Sequence, residues 1–349
     1  MIRSSLLVFL SATLLQAQTC ACTIPVFRYA LDRWETDRFK LSVPSNTSQN
    51  AELTDILRPL RANGKANFDI ATSRDPALAK AELFDSKTSS QTLWSGDLDK
   101  ASLAAVLDSP GRSEILKRIL SGESVVWVIV DSGNPEDQAE IARIEKRLKF
   151  LENVAALPIQ DPNDPDSQLG PGPALLLKFT TLHLRRDDPA EKLLITMLAG
   201  PTGKVDPAQG AFAAAVFGKG RVLGAWPLTQ LDDMALEEAC MFLVGRCSCR
   251  LKNDNPGWDI LLNVDWPKAL QEASDKRTAT TTASEPAKPV EMKHPETVVT
   301  QAQVVPLPAA TASAATTSPG AIPQSSILLA SSALLLGCVV MLLRKSKSR

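Results

Sequence analysis

The chain has few of the residues on which many enzymes rely. Its 349 residues include six cysteines, two histidines and one tyrosine. It contains neither a Cys-x-x-Cys pair nor a Gly-x-Ser-x-Gly turn, so it lacks the common thiol-redox motif and the nucleophile turn of α/β-hydrolases. His183 lies in a strand-like run, where a structural role is favoured over catalysis. We therefore predict no catalytic residues and expect a protein that is not an enzyme.

Motifs for metals, phosphates and nucleic acids are also incomplete. The acidic stretch 161–166 lacks the spacing, the central glycine and the terminal glutamate of an EF-hand. The glycines in Gly200–Lys204 are too close together for a phosphate-binding loop. The net charge of −1, without a basic stripe, argues against a nucleic-acid partner. We accordingly expect no metal and no cofactor.

The start of the chain has the pattern of an export signal. A positively charged beginning precedes the apolar stretch Leu6–Leu15, which is too short to span a bilayer. We place the signal peptide at residues 1–19, with cleavage after Ala17 or after Thr19. Lipidation of Cys20 is the alternative, because the apolar run leads directly to that residue.

The end of the chain has the pattern of a membrane anchor. Residues 327–343 are uncharged and apolar, and about 17 residues at about 1.5 Å each approach the thickness of a membrane core. The tail 344–349 carries four positive charges, and such segments stay in the cytoplasm. Residues 274–326 are rich in Thr, Ala and Pro and lack aromatic residues, which predicts a disordered linker between body and anchor.

The middle of the chain has an α/β pattern. The β-branched run Val125–Val130 predicts a strand buried on both faces, and Asn134 and Pro135 suit the first positions of a helix. The apolar runs Ala211–Val216 and Arg221–Trp226 flank a turn with two glycines, which predicts a hairpin.

We divide this body into two α/β halves, residues 20–122 and 123–273. The stretch Leu98–Leu103 in the first half resembles Leu231–Leu236 in the second, and each follows a tryptophan by a few residues. Two halves with the order β-α-β-β-β-α would form two tandem thioredoxin-like units, which is the fold that we predict. A chance match between two short stretches is the alternative explanation.

The cysteines outside the predicted anchor lie near the two edges of the body. These five disulfide candidates are Cys20, Cys22, Cys240, Cys247 and Cys249. Because thiols oxidise in an exported protein, we favour a disulfide bond from Cys22 to Cys247 or Cys249. Cys240 is then either a further partner or a buried free thiol. Soft-metal binding and thiol-disulfide exchange are the alternatives for the two Cys-x-Cys pairs.

Three stretches together resemble an uncharacterised family of exported bacterial proteins. They are Cys22–Trp34, which reads Cys-Thr-Ile-Pro-Val-Phe-Arg-Tyr-Ala-Leu-Asp-Arg-Trp, the stretch Phe242–Cys249 with its Cys-Ser-Cys end, and Asn255–Asp259. The resemblance covers the body but not the predicted linker. It implies export and a shared fold, and it implies no activity. It also directs attention to the cysteines in the first two stretches.

The sequence thus predicts a single-pass membrane protein with its α/β body on the extracytoplasmic side and its basic tail in the cytoplasm. The membrane, reached through the C-terminal helix, is the one partner that the sequence predicts. We expect the body to be a non-enzymatic binding or scaffold module at the cell envelope. The alternative is a thiol-disulfide exchange or soft-metal-handling protein that uses the Cys-x-Cys pairs.

Overall fold

The computed structural model confirms a mixed α/β protein with two sheets. It describes residues 23–45, 50–75, 78–87, 91–160, 163–246 and 252–283, which all belong to one compact unit, Met1–Pro286. A second unit, Ala287–Arg349, lies outside the described residues, as do the predicted export signal and membrane span. Within the described part of the chain, no helix is long and apolar enough to cross a membrane.

Nine strands and eight α-helices occur in the described residues. The strands are β1 (Phe39–Val43), β2 (Phe68–Thr72), β3 (Ala81–Phe84), β4 (Thr92–Gly96), β5 (Val125–Asp131), β6 (Phe179–Arg185), β7 (Phe212–Phe217), β8 (Arg221–Pro227) and β9 (Trp258–Asp259). The helices are α1 (Val26–Arg33), α2 (Ala51–Asn63), α3 (Lys100–Leu107), α4 (Pro110–Leu120), α5 (Pro135–Val154), α6 (Lys192–Ala199), α7 (Asp233–Val244) and α8 (Trp266–Ala283).

The two sheets share one strand order. The first sheet has the order β2-β1-β3-β4, in which β1 is parallel to β2 and antiparallel to β3. The second has the order β6-β5-β7-β8-β9, in which β5 is parallel to β6 and antiparallel to β7. In each sheet a helix connects the two parallel strands, as a parallel crossover requires, and another helix follows the fourth strand. Strand β9 extends the second sheet beside β8.

Strand β5 lies at the centre of the body because its two faces belong to two hydrophobic cores. Val126 and Val128 share one core with residues of the first sheet such as Leu41. Trp127 and Ile129, on the opposite face, lie in the core that also contains the buried side chains of α5 and α7. The prediction of a strand buried on both faces is therefore confirmed.

The two ends of the described body pack against the opposite halves. Val26 and Phe27 of α1 belong to the core beneath α5 and α7, in the second half. Conversely, residues 260–264 follow the second sheet but pack in the core of the first, and Asn263 pairs with Ala66. The boundary placed at residue 122 therefore divides the sequence but not the hydrophobic core.

Helix α8 extends past Ser274, where the linker was predicted to begin, and ends at Ala283. Its first turns contain Leu270 and Ala273, which are buried against the body. Packing against the body forms these first turns and so completes the nucleation of the helix. Extending the helix past Ser274 then costs little free energy per residue.

Candidate functional site

Cys240 is the one candidate cysteine among the described residues. It lies in α7, is fully buried and is a free thiol. Burial raises the pKa of Cys240 to about 12, and the indole of Trp127 opposes this rise by a smaller amount. Because the thiolate is the reactive form, a thiol in this environment is unreactive. The other candidates, Cys20, Cys22, Cys247 and Cys249, lie outside the described residues.

The segments next to those four cysteines are held together by backbone pairing. Pro25 and Arg246 form an antiparallel bridge, and the Val26 amide donates to the Gly245 carbonyl at 3.1 Å. The Thr23 amide donates to Ser167 Oγ at 2.9 Å, so the first described residue is also tied to the body. The start of the body and the end of α7 therefore meet at one point.

Other residues considered in the sequence have local structural roles. His183 is exposed on β6, and its Nε2 lies 2.9 Å from Glu145 Oε1. Asp164 accepts hydrogen bonds from the Asp166 amide at 3.0 Å and from the Ser167 hydroxyl at 2.5 Å, so its carboxylate stabilises a turn. Among the residues that the structure describes, no group of three or more His, Cys, Asp or Glu side chains is placed to hold a metal ion.

A buried ionic cluster, which sequence reasoning missed, holds the segment after α7 against the body. We name it the Asp259 clasp and define it as Asp37, Arg221, Lys252 and Asp259. Asp259 Oδ1 lies 3.2 Å from an Arg221 nitrogen, and Asp259 Oδ2 lies 2.5 Å from Lys252 Nζ. Lys252 Nζ also lies 2.8 Å from Asp37 Oδ1. Two acids and two bases thus compensate one another in a site where Arg221 and Asp259 are each 3% exposed.

Each member of the Asp259 clasp has additional partners. Arg221 donates to the carbonyls of Asn255 at 2.9 Å and Pro256 at 3.1 Å, and its guanidinium lies 5.5 Å from the centre of the Trp34 ring. Burial raises the pKa of Asp259, and Asp37 adds to this rise while Lys252 opposes it. Buried ion pairs are stable only when their remaining hydrogen-bonding groups are satisfied, and these contacts satisfy most of them.

An open groove of about 600 Å³ lies beside the clasp. Its chemically distinctive lining residues are Glu35, Thr36, Lys65, Lys219, Asp265 and Trp266. These residues come from the loops after α1 and α2, from the β7–β8 turn and from the start of α8. The groove therefore lies where segments of both halves meet, which is a common location for ligand sites.

A crevice of about 10 Å³ connects the rim of the groove with the clasp. Glu35, Thr36 and Lys219 line both spaces, and the crevice also reaches Arg221 and Asp259. A space of this size holds about one water molecule. A ligand in the groove is thus kept apart from the buried ionic cluster, so the clasp supports the groove without providing its chemistry.

No protein-family model, curated protein or solved structure matches this chain.

Proposed function

We propose that this protein is a membrane-tethered binding module whose body lies outside the cytoplasm and is not an enzyme. The export signal and the apolar segment 327–343 support the location and the tether. The groove beside the Asp259 clasp is the proposed binding surface, because it is open, lies between segments of both halves and adjoins a buried ionic cluster. The resemblance to exported bacterial proteins agrees with the same location.

We also propose that the body consists of two thioredoxin-like units. The shared strand order and the helix after the fourth strand support this fold. The repeated sequence stretch also supports this fold, because Asp99 caps α3 and Asp232 caps α7 in the same way. In each case the aspartate side chain accepts a hydrogen bond from the backbone amide three residues further along the chain. Trp94 and Trp226 both lie in the fourth strand of their sheets, β4 and β8.

One observation carries the non-enzymatic proposal. In a thioredoxin-like unit, the reactive cysteines stand at the N-terminus of the helix that follows the first strand. Here the connection from β5 to α5 reads Asp131-Ser132-Gly133-Asn134, without cysteine. Both the amide and the hydroxyl of Ser132 donate to Asp137, which closes this connection as a structural turn. Residues 44–50, between β1 and α2, also contain no cysteine.

Thiol-disulfide exchange or soft-metal binding by the Cys-x-Cys pairs is the second candidate function. The bridge between Pro25 and Arg246 favours a structural disulfide instead, because it holds the segments next to Cys22 and Cys247 together. A bond that closes two paired segments stabilises the fold and removes one thiol of each Cys-x-Cys pair from exchange.

The test is a disulfide-exchange assay. The purified body is added to a disulfide-bonded test protein with glutathione as reductant, and the rate of reduction is measured. We expect the same rate as with a variant in which Cys247 and Cys249 are both replaced by Ser. A rate that rises with the amount of wild-type body, but not with the amount of variant, would overturn the proposal.

A further inference from the structure

We infer that the groove binds a short peptide with free ends, which presents a carboxylate, an ammonium group and an apolar side chain. This inference rests on the proposed function and adds the chemical class of the ligand. The volume of about 600 Å³ is within the range of sites for small ligands. Three features of the lining match such a ligand: a lysine on a packed turn, an opposite charge and an aromatic ring.

Lys219 is presented from a backbone that packing holds in place. It is the central residue of the turn Gly218–Gly220, and both glycines have positive φ, at 56° and 87°. A side-chain carbon on Gly218 would come within 2.7 Å of Ala30 Cβ, and one on Gly220 within 2.7 Å of Leu262 Cδ1. The turn is therefore pressed against α1 on one side and against residues 260–262 on the other.

The half-buried Lys219 has no hydrogen-bond or ion-pair partner for its side chain among the residues that the structure describes, and the same holds for the exposed Lys65. A lysine that is partly removed from water without an anion is less stable than one with an anion nearby. The half-buried Lys219 therefore favours a carboxylate in the ligand, and the exposed Lys65 adds a second positive charge to the same lining.

The opposite charge comes from Glu35. Its side-chain carboxylate lacks a partner in the described part of the chain, although its backbone carbonyl accepts a hydrogen bond from Lys252 at 2.7 Å. Asp265, the other acid of the lining, accepts a hydrogen bond from the Lys268 amide at 3.2 Å through its Oδ1, at the start of α8. The lining thus has free charges of both signs, which fits a ligand that carries both signs itself.

Trp266 supplies an apolar surface in the same groove. It is half-buried and packs against the core that contains the first sheet. Aromatic rings at the edge of a polar groove bind apolar side chains at small entropic cost, because the ring has few rotatable bonds. The combination of lysines, one free glutamate and one tryptophan therefore matches the ends and a side chain of a short peptide.

The test is isothermal titration of the purified body with the tripeptide Ala-Ala-Leu, in four forms: free, amidated at the carboxyl end, acetylated at the amino end, and blocked at both ends. We expect the free peptide to bind, and we expect Lys219→Ala to weaken binding by about tenfold, the usual effect of losing a charge-assisted contact. Amidation should weaken binding to the wild-type body but not to Lys219→Ala. Acetylation should weaken binding to the wild-type body but not to Glu35→Gln.

Lys192→Ala is the matched control, because Lys192 is exposed on α6 and is not part of the groove. Its affinity for the free peptide should equal that of the wild type, and unfolding temperatures should show that all three variants are folded. Absence of binding at millimolar peptide would overturn the inference, as would equal binding of all four forms. The proposed function is tested separately, by the disulfide-exchange assay. If the body catalyses no exchange, the proposed function stands even when no peptide binds. If the body catalyses exchange, the proposed function is overturned even when peptides bind.

Discussion

Pro25 lies opposite Arg246 in an antiparallel bridge, although one residue precedes α1 and the other follows α7. The Val26 amide donates a hydrogen bond to the Gly245 carbonyl, so the hydrogen bond joins the neighbours of Pro25 and Arg246. Pro25 and Arg246 are therefore a non-hydrogen-bonded pair of the antiparallel ladder. The pairing also fixes a register, since every further pair in an antiparallel ladder moves back one residue on one strand and forward one on the other.

This register predicts which cysteines are bonded. If the ladder continues past the described bridge, residue 22 is three steps back and residue 249 is three steps forward, so Cys22 faces Cys249. Direct partners in an antiparallel ladder have Cα atoms about 5.5 Å apart at hydrogen-bonded pairs, which suits a disulfide. Peptide mapping of the unreduced protein should yield a fragment that links Cys22 to Cys249. Cys22 found free, or bonded to Cys20 or Cys247, would contradict the register.

The Asp259 clasp predicts a large loss of stability when one member is removed. Asp259→Ala leaves Arg221 buried without its carboxylate, and breaking a buried pair in this way costs about 3–5 kcal/mol. Asp187→Ala is the control, because it removes an exposed pair with Arg185, which water and salt screen, and it should change the stability far less. Urea unfolding of both variants measures the difference. Equal losses would show that the clasp does not stabilise the body.

Cys240 should resist alkylation in the folded protein. Its pKa of about 12 keeps the thiol neutral at pH 8, and burial excludes the reagent. Mass spectrometry after iodoacetamide treatment should show Cys240 unmodified in buffer and modified in denaturant. Because the pKa of Cys240 in the folded protein lies above its ordinary value of 9.0, this group also contributes stability that is present below about pH 9 and is lost as the pH rises towards 12. Rapid labelling of Cys240 at pH 8 without denaturant would contradict this placement.

The turn that carries Lys219 predicts different outcomes for two glycine substitutions. Gly133 has φ of 81° and no atom within 4 Å of an added side-chain carbon, so Gly133→Ala should cost about 1–2 kcal/mol from the backbone alone. Gly220 has φ of 87° and would also clash with Leu262, so Gly220→Ala should cost a further 1–3 kcal/mol or so. Thermal unfolding compares the two. Equal costs would mean that the turn is not pressed against residues 260–262.

The predictable part of this fold is local. The β-branched run of β5, the glycines of the β7–β8 turn, and the start of α5 at Asn134 and Pro135 are visible because each signal lies within a few residues of the structure that it specifies. The residues 188–191 show the limit, because they fit a hairpin turn and a helix start equally well. Glu191 directly precedes α6, and its buried carboxylate accepts hydrogen bonds from the Gly111 amide at 2.6 Å and the Ser109 hydroxyl at 2.7 Å.

The candidate site could not be predicted in the same way, because its contacts join residues that are distant in sequence. Asn67 accepts a hydrogen bond from the Leu262 amide at 2.8 Å and donates to the Ile260 carbonyl at 3.1 Å. Lys252 approaches Asp37 only because α1 and the segment after α7 pack on the same side of the body. No periodicity or motif in either segment indicates its partner.

The most direct test of the central claim, that the cysteines at the edges of the body are structural, is a redox titration. The purified body is equilibrated with glutathione buffers of graded potential, alkylated and analysed by mass spectrometry for the bond of Cys22. We predict that the bond persists at about −200 mV and is lost only below about −300 mV, as is typical of structural disulfides. Half-reduction between about −120 and −270 mV, the range of thiol-exchange proteins, would contradict the claim.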